Sequence, residues 1–170
     1  MLLLFSFSSR AQPTQYSFIT RWQIKAPLEK VWDAIDKGED WPAWWKGAEQ
    51  AEVLDNGNPD GTGKMIRYTW KSFLPFTLSF DFKITGREMY KKIRGEANGD
   101  LEGTGIWTFE EINNVTYVQY KWDVVSTKKI VNLLSPFLKW FFNYNHNLLM
   151  HWGAKGLAKK LHAKLLKASP

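Results

Sequence analysis

"FTLSFDFKI" occupies residues 76–84, and its apolar and polar side chains alternate without a break. In an extended chain successive side chains point to opposite faces, so Phe76, Leu78, Phe80, Phe82 and Ile84 share one face while Thr77, Ser79, Asp81 and Lys83 share the other. One face is wholly apolar and the other wholly polar, the pattern of an antiparallel sheet with one side buried and one side wet. Working outward, "KMIRYTWKS" (64–72) groups Ile66, Tyr68 and Trp70 in the same way. "VTYVQYKWDVV" (115–125) groups Val118, Tyr120, Trp122 and Val124.

Further strand patterns lie in "AEVL" (51–54), "MYKKIRGEA" (89–97) and "GTGIWTFEEI" (103–112). The separators "DNGNPDGTG", "LP", "GRE", "NGDLEG" and "NN" are turn chemistry, so about six hairpin-linked strands run from residue 51 to residue 126. Another strand precedes them in "QYSFITRWQIKA" (15–26), with Tyr16, Phe18 and Ile24 alternating. Between that strand and the others, Pro27 suits a first helical turn, and Leu28, Val31, Trp32 and Ile35 recur at helical spacing until Gly38. "WPAWWKG" (41–47) then reads as a second short helix or a tight loop.

A sheet with so aromatic a face must be covered. The C-terminal segment predicts the cover: Ser135 caps and Pro136 opens a helix of roughly 30 residues, with no further proline until Pro170. Its first half carries an apolar stripe of Phe137, Trp140, Phe141, Tyr144, Leu148 and Trp152, opposite Lys139, Asn143, His146 and Asn147. Its second half groups Ala154, Leu157, Leu161 and Leu165, surrounded by Lys155, Lys159, Lys160, Lys164 and Lys167. The stripe changes side at Gly153 and Gly156, which predicts a bend or a tight helix-to-sheet contact. The expected class is α+β: a curved antiparallel sheet of about seven strands, two short helices after the first strand, and a long C-terminal helix.

The 170 residues fit one domain, expected over 15–170 behind a flexible leader at 1–14. "MLLLFSF" has no basic residue before its apolar run and is short for a secretory signal, so a cytoplasmic chain is expected rather than an exported one. Lys139, Asn143, Asn145 and Asn147 interrupt the longest apolar stretch, which falls short of the ~20 residues a spanning helix needs. With no cysteine, disulfides, thiol catalysis and thiolate zinc sites are excluded; with three histidines a metal site is not expected. The net charge of +6 permits an anionic partner without naming one.

The segments "APLEKVWDAI" (26–35), "WPAWW" (41–45), "YTWKSFLPF" (68–76), "GDLEGTGIW" (99–107), "YKWDV" (120–124) and "NHNLLMHWGAKGL" (145–157) occur in a telling order. In that order the chain resembles the START-related (SRPBCC) superfamily of pollen allergens, polyketide cyclases and lipid-transfer domains, within it the bacterial polyketide cyclase/dehydrase-like branch. The resemblance implies a helix-grip fold, in which the sheet wraps the terminal helix and leaves a cavity between them. It also implies that "WPAWW" closes one end of the sheet, either as a plug of core under the first helix or with a ring touching a bound molecule.

Fold does not fix function, so the site carries the argument. The expected cavity lining is Trp44, Tyr68, Trp70, Phe80, Phe82, Trp107, Tyr120, Trp122, Asn145, Leu149 and Trp152. This supply of aromatics suits binding or transport of a hydrophobic small molecule, a lipid, isoprenoid or polyketide-like ring compound, without a cofactor. The alternative is a cyclase or dehydratase acting on a polyketide-like substrate in the same cavity. His146 is a candidate proton donor or acceptor, but its wheel position is on the polar side; Asn145 and His151 lie nearer the apolar stripe. Arg67, Arg94, Lys121 and Asp123 are expected on the convex, solvent side, because an inward charge would need a partner. "GDLEGTG" sits between strands and is a hairpin rather than a phosphate cradle, and the sequon at Asn114 is a turn. The C-terminal lysines are a solvated helix face or, with Trp140 and Phe142, a surface for anionic lipid. Nucleic acid is not an expected partner, since the aromatic positions are not interleaved with the basic ones.

Overall fold

The strand around Phe80 forms as its alternation requires. The computed structural model describes residues 15–127 and 129–170, with side chains described over 15–127 and 140–170. The leader and the positions Phe137 and Lys139 lie outside the residues so described. Eight strands form one antiparallel sheet: β1 (Gln15–Lys25), β2 (Ala48–Asp55), β3 (Met65–Trp70), β4 (Leu78–Glu88), β5 (Lys92–Gly99), β6 (Leu101–Ile112), β7 (Val115–Ser126) and β8 (Lys164–Ser169). Their order across the sheet is β2-β3-β4-β5-β6-β7-β1-β8. Helix α1 (Leu28–Asp36) and a 3₁₀ helix (Gly38–Ala43) follow β1, and α2 (Lys129–Lys160) precedes β8. The architecture is α+β, a helix-grip fold.

Register follows the pleat. Tyr68 faces Phe80 across β3 and β4, and Trp107 faces Tyr120 across β6 and β7, so the aromatic positions of neighbouring strands fall on one face. Arg67 pairs with Asp81 on the opposite face at 2.7 and 2.9 Å. Register shifts within β1, β2 and β4 add bulges, which bend and twist a sheet.

α1 buries Val31, Trp32, Ala34 and Ile35 against the sheet, and the Glu111 carboxylate accepts from its first free amide, that of Leu28, at 2.8 Å. Ion pairs fix this end of the molecule: Arg87 of β4 to Asp36 at 2.6 Å, and Lys64 to Glu39 of the 3₁₀ helix at 2.7 Å. Two core clusters result. One surrounds Trp22, Trp32, Trp41, Trp45 and Leu157; the other gathers Tyr16, Leu74, Ala97, Trp122, Val124 and Phe142. Phe80, Phe82 and Tyr120 pack against both yet are only partly buried.

The C-terminal region departs from the sequence expectation in three ways. α2 begins at Lys129, so Ser135 and Pro136 lie within it rather than at its start. It ends at Lys160, and Lys164–Ser169 forms β8 along the free edge of β1, giving eight strands where about seven were expected. The stripe facing the sheet is Phe142, Asn145, His146, Leu149, Met150, Gly153, Ala154 and Leu157, while Trp140 and Tyr144 are 68% and 56% exposed. That stripe runs straight through Gly153 and Gly156 without changing side.

The tight approach at those glycines is real, but the partner is the "WPAWW" turn rather than the sheet. A Cβ on Gly153 would lie 2.3 Å from the Trp45 ring, and one on Gly156 would lie 1.9 Å from the Trp44 carbonyl oxygen. Trp45 is 2% exposed and donates its indole N–H to the Leu149 carbonyl at 2.8 Å. Trp41 donates to the Ile35 carbonyl at 3.1 Å. The tryptophan cluster therefore docks α2 onto the end of the sheet; a buried aromatic side chain removes ~150–250 Å² from water.

A candidate ligand cavity

β1, the 3₁₀ helix and the turn after it, β3, β4, β6, β7 and α2 together line a pocket of about 110 Å³ that is partly open to solvent. Its size resembles the ~150 Å³ apolar hole that admits benzene in another protein, and it is below the ~300–1,000 Å³ of sites for drug-sized ligands. The volume is on the scale of a single ring, and the pocket is open to solvent rather than sealed.

The walls are aromatic rings in contact. Trp107 stacks on Tyr120 at 4.1 Å, Tyr120 on Trp122 at 5.7 Å, and Phe80 lies 5.7 Å from Trp122 and 6.1 Å from Tyr68. Glycines make this possible. A Cβ on Gly95 would come within 2.3 Å of the Phe82 ring, and one on Gly105 within 2.7 Å of the Tyr120 hydroxyl and 3.0 Å of Trp122. The rings lie on bare backbone where those strands lack side chains.

Few polar groups meet this surface. Asn145 is 4% exposed, and its Oδ1 has no hydrogen-bond partner among the described residues. The His146 ring stacks on Phe18 at 4.0 Å, with Nε2 lying 3.4 Å from Thr20 Oγ1. Burial pushes the His146 pKa down to about 3, so the imidazole is neutral at physiological pH. Burial pushes the Tyr68 phenol far up, with the Glu39 charge adding to it; Tyr120 is raised by burial and then by Tyr68. No Asp, Glu, Lys or Arg is among the described lining residues. The arrangement can enclose an apolar guest and offer it a few uncharged hydrogen-bonding groups. Among the described residues no cluster of His, Asp or Glu has the makings of a metal site.

A family model for polyketide cyclase / dehydrase and lipid transport proteins matches residues 24–147. The chain belongs to that family. Among solved structures, an aromatase/cyclase from Streptomyces sp. R1128 superposes with a TM-score of 0.71 at 10% identity, over 88% of this chain and 94% of that one. A Thermus thermophilus protein gives 0.68 at 16% identity over 85% and 99%. A START superfamily protein from Mycobacterium smegmatis gives 0.63 at 15% identity over 87% and 97%. At such identities the likeness is one of fold. No curated protein matches the sequence.

In this member of the polyketide cyclase / dehydrase and lipid transport family, Tyr68, Trp70, Phe80, Phe82, Trp107, Tyr120, Trp122, Asn145 and Leu149 of the expected residues line the cavity. Trp44 and Trp152 do not. Trp44 stacks behind Trp45 at 5.4 Å, and Trp152 holds the Lys46 ammonium 4.3 Å from its ring centre. Trp41 and Trp45 take the place expected of Trp44 on the wall. His146, expected on the polar side of the helix, faces the cavity, whereas His151 is exposed. Spacing held the missing signal: from Gly153, steps of three and four back along α2 reach Leu149, Met150, Asn145, His146 and Phe142. Arg67 and Arg94 are exposed, Lys121 pairs with Asp123 at 2.9 Å, and none of them lines the cavity. Phe142 is buried and so does not join Trp140 on a surface, and the basic helix face expected from Lys155 to Lys167 is divided between α2 and β8.

Proposed function

We propose that the protein binds a compact hydrophobic molecule, a ring compound of isoprenoid, lipid or polyketide-like character, without altering it, as a carrier or sensor. The observation that carries this reading is the 110 Å³ aromatic-walled cavity between the sheet and α2. Removing apolar surface from water supplies ~25 cal/mol per Å², and Asn145 gives orientation. Native mass spectrometry of the purified protein is expected to show a co-purifying apolar compound, or uptake of one ring compound per chain on titration. A protein that takes up no such compound would refute the reading.

A second reading has one observation in its favour: His146, a neutral imidazole, borders the cavity with a nitrogen near the Thr20 hydroxyl. Its pKa of about 3 makes the ring a weak base, so in a cyclase or dehydratase its role would be to accept a hydrogen bond that orients the substrate. The mass of the recovered guest separates the two. A carrier returns it unchanged; a dehydrating cyclase returns it lighter by one water, and His146→Gln abolishes that loss.

A further inference from the structure

We propose that the cavity selects against anions: among ring compounds of matched size it takes the uncharged one, and it admits a carboxylic acid only in protonated form. This rests on the ligand-binding reading above and narrows it to a class of guest.

Among the described residues, the titratable groups that face the cavity are Tyr16 from β1, Tyr68 from β3, Tyr120 from β7 and His146 from α2. None of these is a cation at neutral pH, since tyrosine has no cationic form and the buried His146 ring stays neutral far below pH 7. No Lys or Arg stands among the described lining residues to pair with a carboxylate. Three cations of this sheet are paired away from the cavity, Arg67 with Asp81, Arg87 with Asp36, and Lys121 with Asp123, while Lys83 and Arg94 are exposed and do not line it. A buried charge without a partner costs several kcal/mol, which exceeds what a small ring gains by burial. Aromatic walls add to the exclusion, because ring faces carry partial negative charge. An uncharged hydroxyl meets no such penalty: the Asn145 amide, buried and with no partner for its oxygen among the described residues, can take its hydrogen bond.

Benzyl alcohol, benzoate and toluene share one ring and differ in the group attached to it. Titrated into the intact protein and followed by tryptophan fluorescence or calorimetry, benzyl alcohol and toluene are expected to bind at about pH 7.5, and benzoate at least ~100-fold more weakly. Between about pH 7.5 and 5.5 the apparent benzoate affinity rises ~tenfold per pH unit, because the neutral acid becomes more abundant as pH approaches the ~4 of a carboxyl group. Benzyl alcohol affinity stays level over that range. Benzoate binding within tenfold of benzyl alcohol at pH 7.5, or benzoate affinity independent of pH, overturns the selectivity and leaves the ligand-binding reading standing. Failure of both benzyl alcohol and toluene to bind removes the ligand-binding reading for ring-sized guests, and this inference with it.

Discussion

His146 shows how one side chain ties stability to pH. Its ring is held between Phe18 and Thr20, and burial depresses its pKa to about 3. In the unfolded chain a histidine titrates near ~6.5. Below that value the unfolded state takes up a proton that the native state refuses, so native stability is complete above about pH 6.5 and falls as pH drops toward 3. The loss approaches ~2 kcal/mol between pH 6.5 and 5. Urea midpoints measured across that window are expected to fall for the natural sequence and to stay nearly level for His146→Gln, relative to their own values at pH 7.5. The wheel misplaced this residue because a histidine beside two asparagines looks polar, and hydropathy does not register that an imidazole can stack on a phenyl ring.

Asn145 makes the complementary case. Its Oδ1 has no hydrogen-bond partner among the described residues, and an orphaned buried acceptor costs ~1–3 kcal/mol. Asn145→Leu keeps similar volume and removes that orphan, so thermal stability is expected to hold or rise while benzyl alcohol binding weakens relative to toluene binding in a fluorescence titration. A fall in stability of several kcal/mol would show that the amide is instead held by structure.

α2 illustrates how packing overrides hydropathy. By apolar content alone the stripe through Trp140 and Tyr144 should face the sheet, yet both residues are exposed and the stripe bearing Asn145 and His146 faces inward. Steric fit decides it: the indole of Trp45 and the backbone of Trp44 approach so closely that only glycine can stand opposite, and Gly153 and Gly156 fix which face turns in. Gly156→Ala sets two effects against each other. Helix propensity favours alanine by ~1 kcal/mol, but its methyl would meet the Trp44 carbonyl oxygen at 1.9 Å, and overpacking costs ~1–3 kcal/mol or more. Net destabilisation is expected, read as a lower urea midpoint; stabilisation would mean that the turn yields freely.

The strands from β1 to β7 were legible because one-sided burial imposes a period of two that survives in the sequence. β8 was not legible, and the cause is local. The helix ends in a Schellman motif, with Ala163 N–H bonding the Ala158 carbonyl and His162 N–H bonding that of Lys159, and the left-handed residue is His162 at φ 51°. Glycine usually marks that position; here Leu157, Leu161 and Leu165 keep a helical spacing straight past it. Ending the chain at Ala163 would leave Arg21–Lys25 of β1 as an unpaired edge, so lower stability and concentration-dependent self-association are expected in size-exclusion chromatography.

The molecule as a whole keeps two core clusters apart rather than fusing them, and Phe80, Phe82 and Tyr120 border both without being fully covered. The pocket of about 110 Å³ between them is partly open to solvent, so aromatic surface stays exposed there that a fully packed core would cover. Retaining such a void makes physical sense if a guest restores the lost contacts on entry, and binding and stability should then trade against each other at the same residues. Val124, 3% exposed on the cavity wall, tests the trade in one direction. Val124→Phe puts a benzyl group into the void: ring-compound binding should be lost, and stability should change by no more than ~1–2 kcal/mol, upward if the ring finds a relaxed rotamer. Phe80→Ala tests the other direction, costing ~3–5 kcal/mol while admitting guests larger than a single ring. If the filled variant bound ring compounds as tightly as the natural protein, the cavity would not be where they bind, whatever its size.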